Sequence, residues 1–298
     1  MINKDVLKVR TALLDMACEV SGPDNGKPLL LVHGWPDDVR TWDRVIPALH
    51  EAGYRTIAPY LRGFGDTAFL DAASCRSGEI IALAKDVLEA VQALDMGKFA
   101  IVGHDWGAGI AYTLGAIAPD HLDLIVALSV PLNRDNPVEL TEQQLQNYWY
   151  QWFFNSALAE RRLQEKRYEF VRQIWKSWAT NLRDLDETLA LTAPSFGNAD
   201  WVAITLHSYR VRWGMAKPDP AYGVFQSMLK HDPVVKVPIL SVRGEHDPVH
   251  VPEMYRLTPG LCAAGFDFMT IREAGHFPQR ENPDELLRTV LPFLRARN

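Results

Sequence analysis

Ile101-Val102-Gly103-His104-Asp105-Trp106-Gly107-Ala108-Gly109 is the stretch that decides the fold. Its pattern indicates a strand over residues 99–102 that turns at once into a helix, with glycines two residues before and after Asp105. This is the pattern of a nucleophile elbow, a tight strand–turn–helix that holds one side chain above the edge of a sheet. Glycines are expected there because the turn brings backbone segments too close for a Cβ atom and strains the central residue.

The central residue of such an elbow is usually serine, and here it is Asp105. An aspartate that opens a helix is also a common N-cap, so the rest of the chain has to support the elbow. A carboxylate is already ionised at neutral pH and needs no base to become a nucleophile. It can attack an electrophilic sp³ carbon and form an ester intermediate. Asp105 therefore predicts hydrolysis of carbon–oxygen or carbon–halogen bonds rather than of peptides or esters.

The composition of the chain is that of an ordinary globular protein. Its 298 residues are 47% hydrophobic and 23% charged, enough for one α/β domain with an insertion or for two domains. A formal net charge of -6 argues against a nucleic-acid partner and against an anionic membrane surface. The isolated Cys18, Cys75 and Cys262 predict neither a disulfide framework nor a zinc site, and no metal or cofactor is expected.

The N-terminus lacks the apolar core of a signal peptide, and the chain has no apolar run of about 18 residues that could span a membrane. The expectation is therefore a cytoplasmic protein without a membrane span. Strands are predicted within residues 6–20 and at 28–33, 54–59, 99–102, 124–129, 237–242 and 266–271. Helices are predicted at 41–51, 78–94, 108–118, 253–257 and 283–295. This alternation predicts a mostly parallel sheet flanked by helices.

The alternation stops in the middle of the chain, where residues 134–230 have a helical and aromatic pattern. This segment holds six of the nine tryptophans: Trp149, Trp152, Trp175, Trp178, Trp201 and Trp213. A helical insert rich in amphipathic rings is typical of a lid over an apolar pocket. We therefore predict an α/β core from residues 1–133 and 231–298, with a lid at 134–230 between its two parts.

Two polar loops complete a candidate catalytic set. Asp247 lies in Gly-Glu-His-Asp and His276 in Gly-His-Phe, each directly after a predicted strand. The carboxyl ends of parallel strands are where open α/β sheets bind their ligands. The chain order Asp105, Asp247, His276 is the order of nucleophile, acid and base that the elbow predicts. His276 is expected to activate a water molecule and Asp247 to fix its tautomer.

The loop after the first buried strand, His33-Gly34-Trp35-Pro36, is the second expected part of the site. Backbone N–H groups of Trp35 and Trp106 are predicted to form an oxyanion hole. Pro36 has no N–H, and the Trp35–Pro36 peptide bond is predicted to be cis.

These motifs together resemble the epoxide hydrolases of the α/β-hydrolase fold. The resemblance extends over essentially the whole chain and rests on His-Gly-Trp-Pro at 33–36, Gly-His-Asp-Trp-Gly at 103–107, the helical insert, Gly-Glu-His-Asp at 244–247 and Gly-His-Phe at 275–277. It implies a hydrophobic epoxide and water as substrates, with no cofactor. It further implies substrate contacts from His33, Pro36, Phe154 and Phe277.

The resemblance also implies two lid tyrosines that donate hydrogen bonds to the epoxide oxygen. Tyr150 fits the first position because Phe154 and Ala159-Glu160 follow it at the family's spacing, and Tyr148 is the competing register. Tyr209 fits the second position because it precedes an arginine. Such donors are needed because the opening ring expels an alkoxide, which is too basic to leave unaided.

The chain departs from the family pattern in two places. Tyr60 and Leu61 precede the Arg-Gly-Phe-Gly turn at 62–65, where the family has an aspartate before the arginine, and the lid lacks the Pro-Gly that follows the first tyrosine. The first change marks a subfamily, and the second leaves the shape of the pocket open.

Two other functions compete with epoxide hydrolysis. Haloalkane dehalogenases share the aspartate elbow and Trp106, but they have a second halide donor, usually asparagine, where this chain has Trp35. The arginines with which fluoroacetate-type dehalogenases clamp a carboxylate are replaced by Trp106 and Gly109. A ligand-binding relative without turnover is the third possibility, and the ordered Asp–Asp–His set argues against it. A monomer and a homodimer are equally compatible with the sequence.

Overall fold

A computed structural model describes residues 5–132, 139–256 and 260–296. Nine strands in these ranges form one sheet with the order β1-β2-β4-β3-β6-β7-β8-β9, and β5 pairs with β2. They are β1 (Asp5–Arg10), β2 (Leu14–Ser21), β3 (Lys27–Val32), β4 (Tyr54–Pro59), β5 (Ala68–Phe69), β6 (Phe99–His104), β7 (Leu122–Leu128), β8 (Ile239–Gly244) and β9 (Phe266–Ile271). The pairs from β4 through β9 are parallel, and β2 pairs antiparallel with its neighbours. The predicted mostly parallel sheet is confirmed.

Helices cover both faces of the sheet. Three of them connect core strands: α1 (Ile46–Glu51), α2 (Ile80–Ala93) and α3 (Trp106–Ile117). Seven lie between β7 and β8: α4 (Glu142–Asn147), α5 (Trp149–Phe154), α6 (Leu158–Glu165), α7 (Arg167–Trp178), α8 (Leu185–Thr192), α9 (Trp201–Arg212) and α10 (Gly223–His231). Two follow β9: α11 (Pro278–Glu281) and α12 (Pro283–Ala296).

The central strands carry apolar residues on both faces because helices cover both. In β6, Phe99 and Ile101 belong to one buried cluster, and Ala100 and Val102 belong to the other. Side chains alternate along a strand, so one continuous apolar run supplies two cores. The strand that leads to Asp105 is thereby held rigidly from both sides.

Most predicted elements are confirmed within a few residues, and some boundaries are corrected. The single helix predicted at 41–51 is two pieces, a 3₁₀ turn at Val39–Trp42 and the helix α1. The side chain of Asp38 caps the first piece, and a proline at the start of α1 begins a new helix instead of extending the turn. The helix predicted at 253–257 is a 3₁₀ turn at Pro252–Tyr255, and residue 257 lies outside the described residues.

Between residues 139 and 231 the structure is helical, as the sequence predicts, and the described residues of this segment contain no strand. The predicted boundary at 133–134 lies outside the described residues. None of the helices in the described ranges is both long enough and apolar enough to cross a bilayer.

Candidate active site

Asp105 lies at the turn between β6 and α3, in a backbone conformation that residues with a Cβ rarely adopt. Its φ is 51° and its ψ is -115°. The turn is tight: a Cβ on Gly103 would lie 2.1 Å from the Gly107 carbonyl oxygen, and one on Gly107 would lie 2.0 Å from the Val32 oxygen. A Cβ on Gly34 would lie 2.4 Å from the Asp105 Cβ. The three glycines let the backbone of β3 and the loop after it approach the elbow this closely.

The two oxygens of the Asp105 carboxylate have different partners. Oδ1 accepts a hydrogen bond of 2.8 Å from the backbone N–H of Trp35. Oδ2 lies 3.6 Å from Nε2 of His276. Asp105 is buried, with 6% of its surface exposed, so these contacts are poorly screened by water. One oxygen is held by the backbone and the other faces the imidazole.

His276 bridges the two carboxylates from the loop after β9. Its Nδ1 lies 3.1 Å from both oxygens of Asp247. The Val249 N–H donates to Asp247 Oδ1 over 2.9 Å and fixes the carboxylate. Since Asp247 can only accept, Nδ1 carries a proton and Nε2 points towards Asp105. The backbone of His276 is held as well, because its carbonyl oxygen lies 2.7 Å from His104 Nε2.

The charges of the three groups support one another. Burial opposes ionisation of Asp105, but the hydrogen bond and charge of His276 hold its pKa below the usual value. Burial likewise opposes the charge on Asp247, and His276 keeps the pKa of that carboxyl low. Burial disfavours the imidazolium of His276, yet Asp247 and Asp105 together raise its pKa to about 10. The two carboxylates therefore favour the protonated form of the imidazole between them.

The loop at 33–36 adopts the predicted cis peptide between Trp35 and Pro36. The indole Nε1 of Trp35 donates to Thr205 Oγ1 on α9 over 3.1 Å. The Pro36 carbonyl accepts a 2.8 Å hydrogen bond from Trp175 Nε1 on α7. Both contacts join the loop beside Asp105 to the helices α9 and α7. Trp35 therefore offers only its backbone N–H to Asp105.

Tyr150 and Tyr209 converge on Trp35 from α5 and α9. The Tyr150 ring stacks on the indole at a centroid distance of 5.6 Å, and the Tyr209 ring meets the indole edge-on at 5.5 Å. The two tyrosine rings lie 5.5 Å apart. Burial raises the pKa of both phenols, and the charge of Asp105 raises it further. Both hydroxyls therefore stay protonated and can donate.

Tyr148, the competing register, points elsewhere. Its hydroxyl accepts from Arg212 over 3.4 Å, and its ring lies 5.7 Å from that of His250. The structure thus pairs Tyr150, and not Tyr148, with Tyr209.

The four residues for which the resemblance implied substrate contacts are placed differently. The Phe154 ring packs against the rings of Trp35 and Tyr209, with centroid distances of 5.4 Å and 5.2 Å. Phe277 is fully buried beside the His276 ring at 5.4 Å. His33 takes another role: its Nδ1 lies 3.1 Å from the Gly34 oxygen, and its Nε2 accepts from the Leu61 N–H.

Both ring nitrogens of His33 have backbone partners, so the residue braces the loop, and its contact with substrate stays a prediction. The carbonyl oxygen of Pro36 accepts a hydrogen bond from Trp175 on helix α7. For His33 and Pro36, sequence could not distinguish a substrate contact from a backbone contact, because the motif records only that both residues recur in it.

Sequence analysis missed Trp178 as part of the site. Its ring lies 4.7 Å from that of His276 and 5.0 Å from that of Tyr150, and its carbonyl oxygen accepts the His276 N–H. The aromatic richness of the insert was the available signal, but it does not say which ring meets the base. A cavity of about 450 Å³ lies beside Trp106 and Tyr209.

Comparison with known proteins identifies the family of this chain. The profile described as alpha/beta hydrolase fold matches residues 27–283. An epoxide hydrolase of Caballeronia sordidicola is 26% identical over 91% of this chain and 88% of its own length. Epoxide hydrolase 3 of Siraitia grosvenorii is 37% identical, but the match covers only 40% of this chain and 37% of that protein.

A solved structure from Klebsiella pneumoniae, provisionally assigned as an epoxide hydrolase, superimposes with a TM-score of 0.90 at 30% identity and covers 98% of this chain and 97% of its own. The fold, the family profile and these relatives agree on one family.

Proposed function

This chain belongs to the α/β-hydrolase family, among its epoxide hydrolases, and we propose that it opens hydrophobic epoxides through a covalent ester on Asp105. The observation that carries the proposal is the convergence of Tyr150 and Tyr209 on the loop that holds the Asp105 carboxylate. An alkoxide leaving group needs acids of this kind, and an acyl-transfer site does not.

The first step uses Asp105 Oδ2 as the nucleophile. It attacks a ring carbon, the carbon–oxygen bond of the epoxide breaks, and the electron pair goes to the ring oxygen. Tyr150 and Tyr209 share the developing negative charge, and one of them transfers its proton. Oδ1 stays bound to the Trp35 N–H and becomes the carbonyl oxygen of the ester.

The second step uses His276 as the base. Esterification removes the charge of Asp105, one of the two carboxylates that raise the pKa of His276. The imidazolium then releases its proton, which restores the tyrosine, and the neutral ring takes a proton from water. The resulting hydroxide attacks the ester carbon, and the Trp35 and Trp106 N–H groups stabilise the oxyanion. The bond between the ester carbon and the substrate oxygen then breaks, that oxygen takes the proton of the new Asp105 carboxyl group, and the diol leaves with Asp105 ionised and His276 protonated again. In this mechanism the first step itself activates the base for the second.

We further propose that the helices between residues 139 and 231 act as the lid over this site. The support is that Tyr150, Trp178 and Tyr209 all come from them and are buried against the core. A cavity of about 450 Å³ beside Trp106 and Tyr209 is lined mostly by apolar residues, together with Glu79, Arg212 and His250, and its size suits a small to medium hydrophobic epoxide. We expect no requirement for a charged group on the substrate.

The test is to trap the ester. His276→Gln, incubated with styrene oxide, is expected to accumulate an adduct of enzyme plus one substrate mass on the peptide that contains Asp105. Asp105→Ala is the control and should form none. Wild-type turnover in heavy-oxygen water should also place label in the Asp105 carboxylate. An unlabelled Asp105 after many turnovers would mean that water attacks the epoxide directly.

One contact argues against the dehalogenase alternative. The Trp35 side chain stands where those enzymes have a halide donor, and its N–H is already given to Thr205. We therefore expect little bromide release from 1-bromobutane under conditions that turn over styrene oxide. A bromide rate equal to the diol rate would instead support the dehalogenase.

A further inference from the structure

Gln151, the residue after Tyr150 on α5, is buried at 1% exposure and uses both ends of its amide. Its Nε2 donates to the Tyr150 hydroxyl oxygen over 2.8 Å. Its Oε1 accepts from the Trp213 indole Nε1 over 2.9 Å. The glutamine thus connects the Trp213 indole to the Tyr150 phenol, whose ring stacks on Trp35.

The orientation of this amide is settled by chemistry. An indole N–H is only a donor, so the amide end near Trp213 must be the oxygen. The NH₂ group is then the end near Tyr150, and the phenol oxygen must be the acceptor in that contact. A flipped amide would place two donors against each other at Trp213.

We propose that Gln151 is a positioning residue that keeps the Tyr150 proton aimed at the substrate oxygen. Because the phenol oxygen accepts from Gln151, its own O–H cannot point back along that contact and is left for the site shared with Tyr209 and Asp105. This inference rests on the proposed function, since it assigns a role to the proton that Tyr150 would donate.

The same contact strengthens the acid. An N–H directed at the phenol oxygen stabilises the negative charge that grows there as the proton leaves. Burial and the charge of Asp105 raise the pKa of Tyr150, and the hydrogen bond from Gln151 works against that rise. Trp213 in turn fixes the amide, so the device is a chain of two donors that ends on Tyr150.

The first test separates this role from packing. Gln151→Met keeps the volume and removes the donor, and we expect alkylation of Asp105 by styrene oxide to slow about tenfold. The slowing should be greater for epoxides whose alkoxide is a poorer leaving group. In a Tyr150→Phe background the same change should cost less than twofold, because the group on which it acts is gone.

The second test reverses the polarity of the contact. The carboxyl group in Gln151→Glu can replace the amide while it is protonated, and once ionised it can only accept and would draw the Tyr150 proton away. Alkylation by this variant should therefore fall as pH rises, while wild type stays flat over the same range. This isosteric variant also decides the question if Gln151→Met does not fold.

Gln144→Met is the matched control for loss of a buried glutamine. Gln144 is also 1% exposed, but its amide contacts the backbone of Val249 and Val251. It should leave the leaving-group dependence of alkylation unchanged. Equal slowing by Gln151→Met with and without the Tyr150 hydroxyl, or a flat pH profile for Gln151→Glu, would overturn the inference while leaving the proposed function intact. Absence of any Asp105 adduct in wild type and His276→Gln would overturn both.

Discussion

At the scale of single residues, the site depends on one carboxylate whose two oxygens are kept distinct. The Trp35 N–H holds one oxygen, and His276 faces the other. The positive φ of Asp105 makes this possible, because a relaxed helix N-terminus would turn the carboxylate onto its own backbone N–H groups, and here it makes no cap hydrogen bond. The backbone strain therefore keeps the Asp105 carboxylate free of the helix N–H groups and available to Trp35 and His276.

The tyrosine pair carries the first prediction. Tyr150→Phe and Tyr209→Phe should each slow alkylation by about a hundredfold or more, because losing one donor to a developing oxyanion costs about 2.7–4 kcal/mol. The double variant should be almost inactive towards epoxides. Stopped-flow tryptophan fluorescence during a single turnover measures the step directly. Tyr148→Phe is the control, and a loss there as large as for Tyr150→Phe would contradict the assignment.

The second prediction concerns the pH dependence of stability. Burial disfavours the His276 charge, but the two carboxylates raise its folded pKa to about 10, above its usual 6.5. The stabilisation that the charged His276 gives to the folded state is therefore fully present below about pH 6.5 and is lost as pH rises towards 10. Urea unfolding of wild type and His276→Gln at pH 6.5, 8 and 10 should show a difference that shrinks with pH. Parallel stability curves would contradict this.

Sequence could predict the triad because its chemistry requires particular residue types in a particular chain order. It could not choose between Tyr148 and Tyr150, since a shift of two residues on a helix rotates the side chain by about 200° and only packing decides which way faces the site. It could not predict the backbone contacts of His33, because a motif records that a residue recurs and not what it contacts.

At the scale of elements, the strand–turn–helix of the elbow is a packing requirement between β3, β6 and α3. Its glycines differ sharply in how much space they have. A Cβ on Gly107 would meet the Val32 carbonyl at 2.0 Å, while one on Gly109, half a turn along the same helix, would meet only the side chain of Ile80 at 3.4 Å. The two glycines of one motif therefore have different functions.

The third prediction uses that contrast. Gly107→Ala should destabilise the protein by about 1–3 kcal/mol or more, because backbone must move to admit the methyl group. It should also lower activity by about a hundredfold through displacement of Asp105. Gly109→Ala should be neutral or stabilise by up to about 1 kcal/mol, since alanine favours helix. Urea unfolding and styrene oxide turnover measure both effects, and equal damage by the two changes would contradict the reading of the turn.

Element type was predictable wherever apolar periodicity was long, as in α2 and α12. Boundaries were less predictable where a local cap or a proline competed with periodicity, as at Asp38, which caps the 3₁₀ turn, and at Pro47, which begins α1. The two-residue strand β5 carries no periodicity at all, and its pairing with β2 arises only from the tertiary fold.

At the scale of the whole molecule, the helices between β7 and β8 are not a separate layer. Tyr148, Trp175, Leu189 and Trp201 belong to the same buried cluster as Ile101 and other residues of the sheet. The second buried cluster, on the other face, is formed by the strands and by helices outside that segment. Polar contacts reinforce the junction, including the buried ion pair of Asp37 with Arg280, whose guanidinium also donates to Thr192.

The fourth prediction follows from this shared core: the lid and the sheet should unfold together. Six of the nine tryptophans lie in the lid, so their fluorescence reports mainly on it, whereas far-UV circular dichroism reports on the whole chain. The two midpoints in urea should coincide in wild type.

Leu240→Ala, in the cluster that lid residues do not join, should lower both midpoints by the same amount, because removing a buried leucine costs about 2–5 kcal/mol of a single cooperative transition. Trp175→Phe, which loses the hydrogen bond to Pro36, should likewise shift both probes together. If the fluorescence midpoint instead fell alone in Trp175→Phe and stayed fixed in Leu240→Ala, the lid would be an independently folding unit. The placement of Tyr150 and Tyr209 beside Trp35 would then depend on docking of the lid rather than on the fold itself.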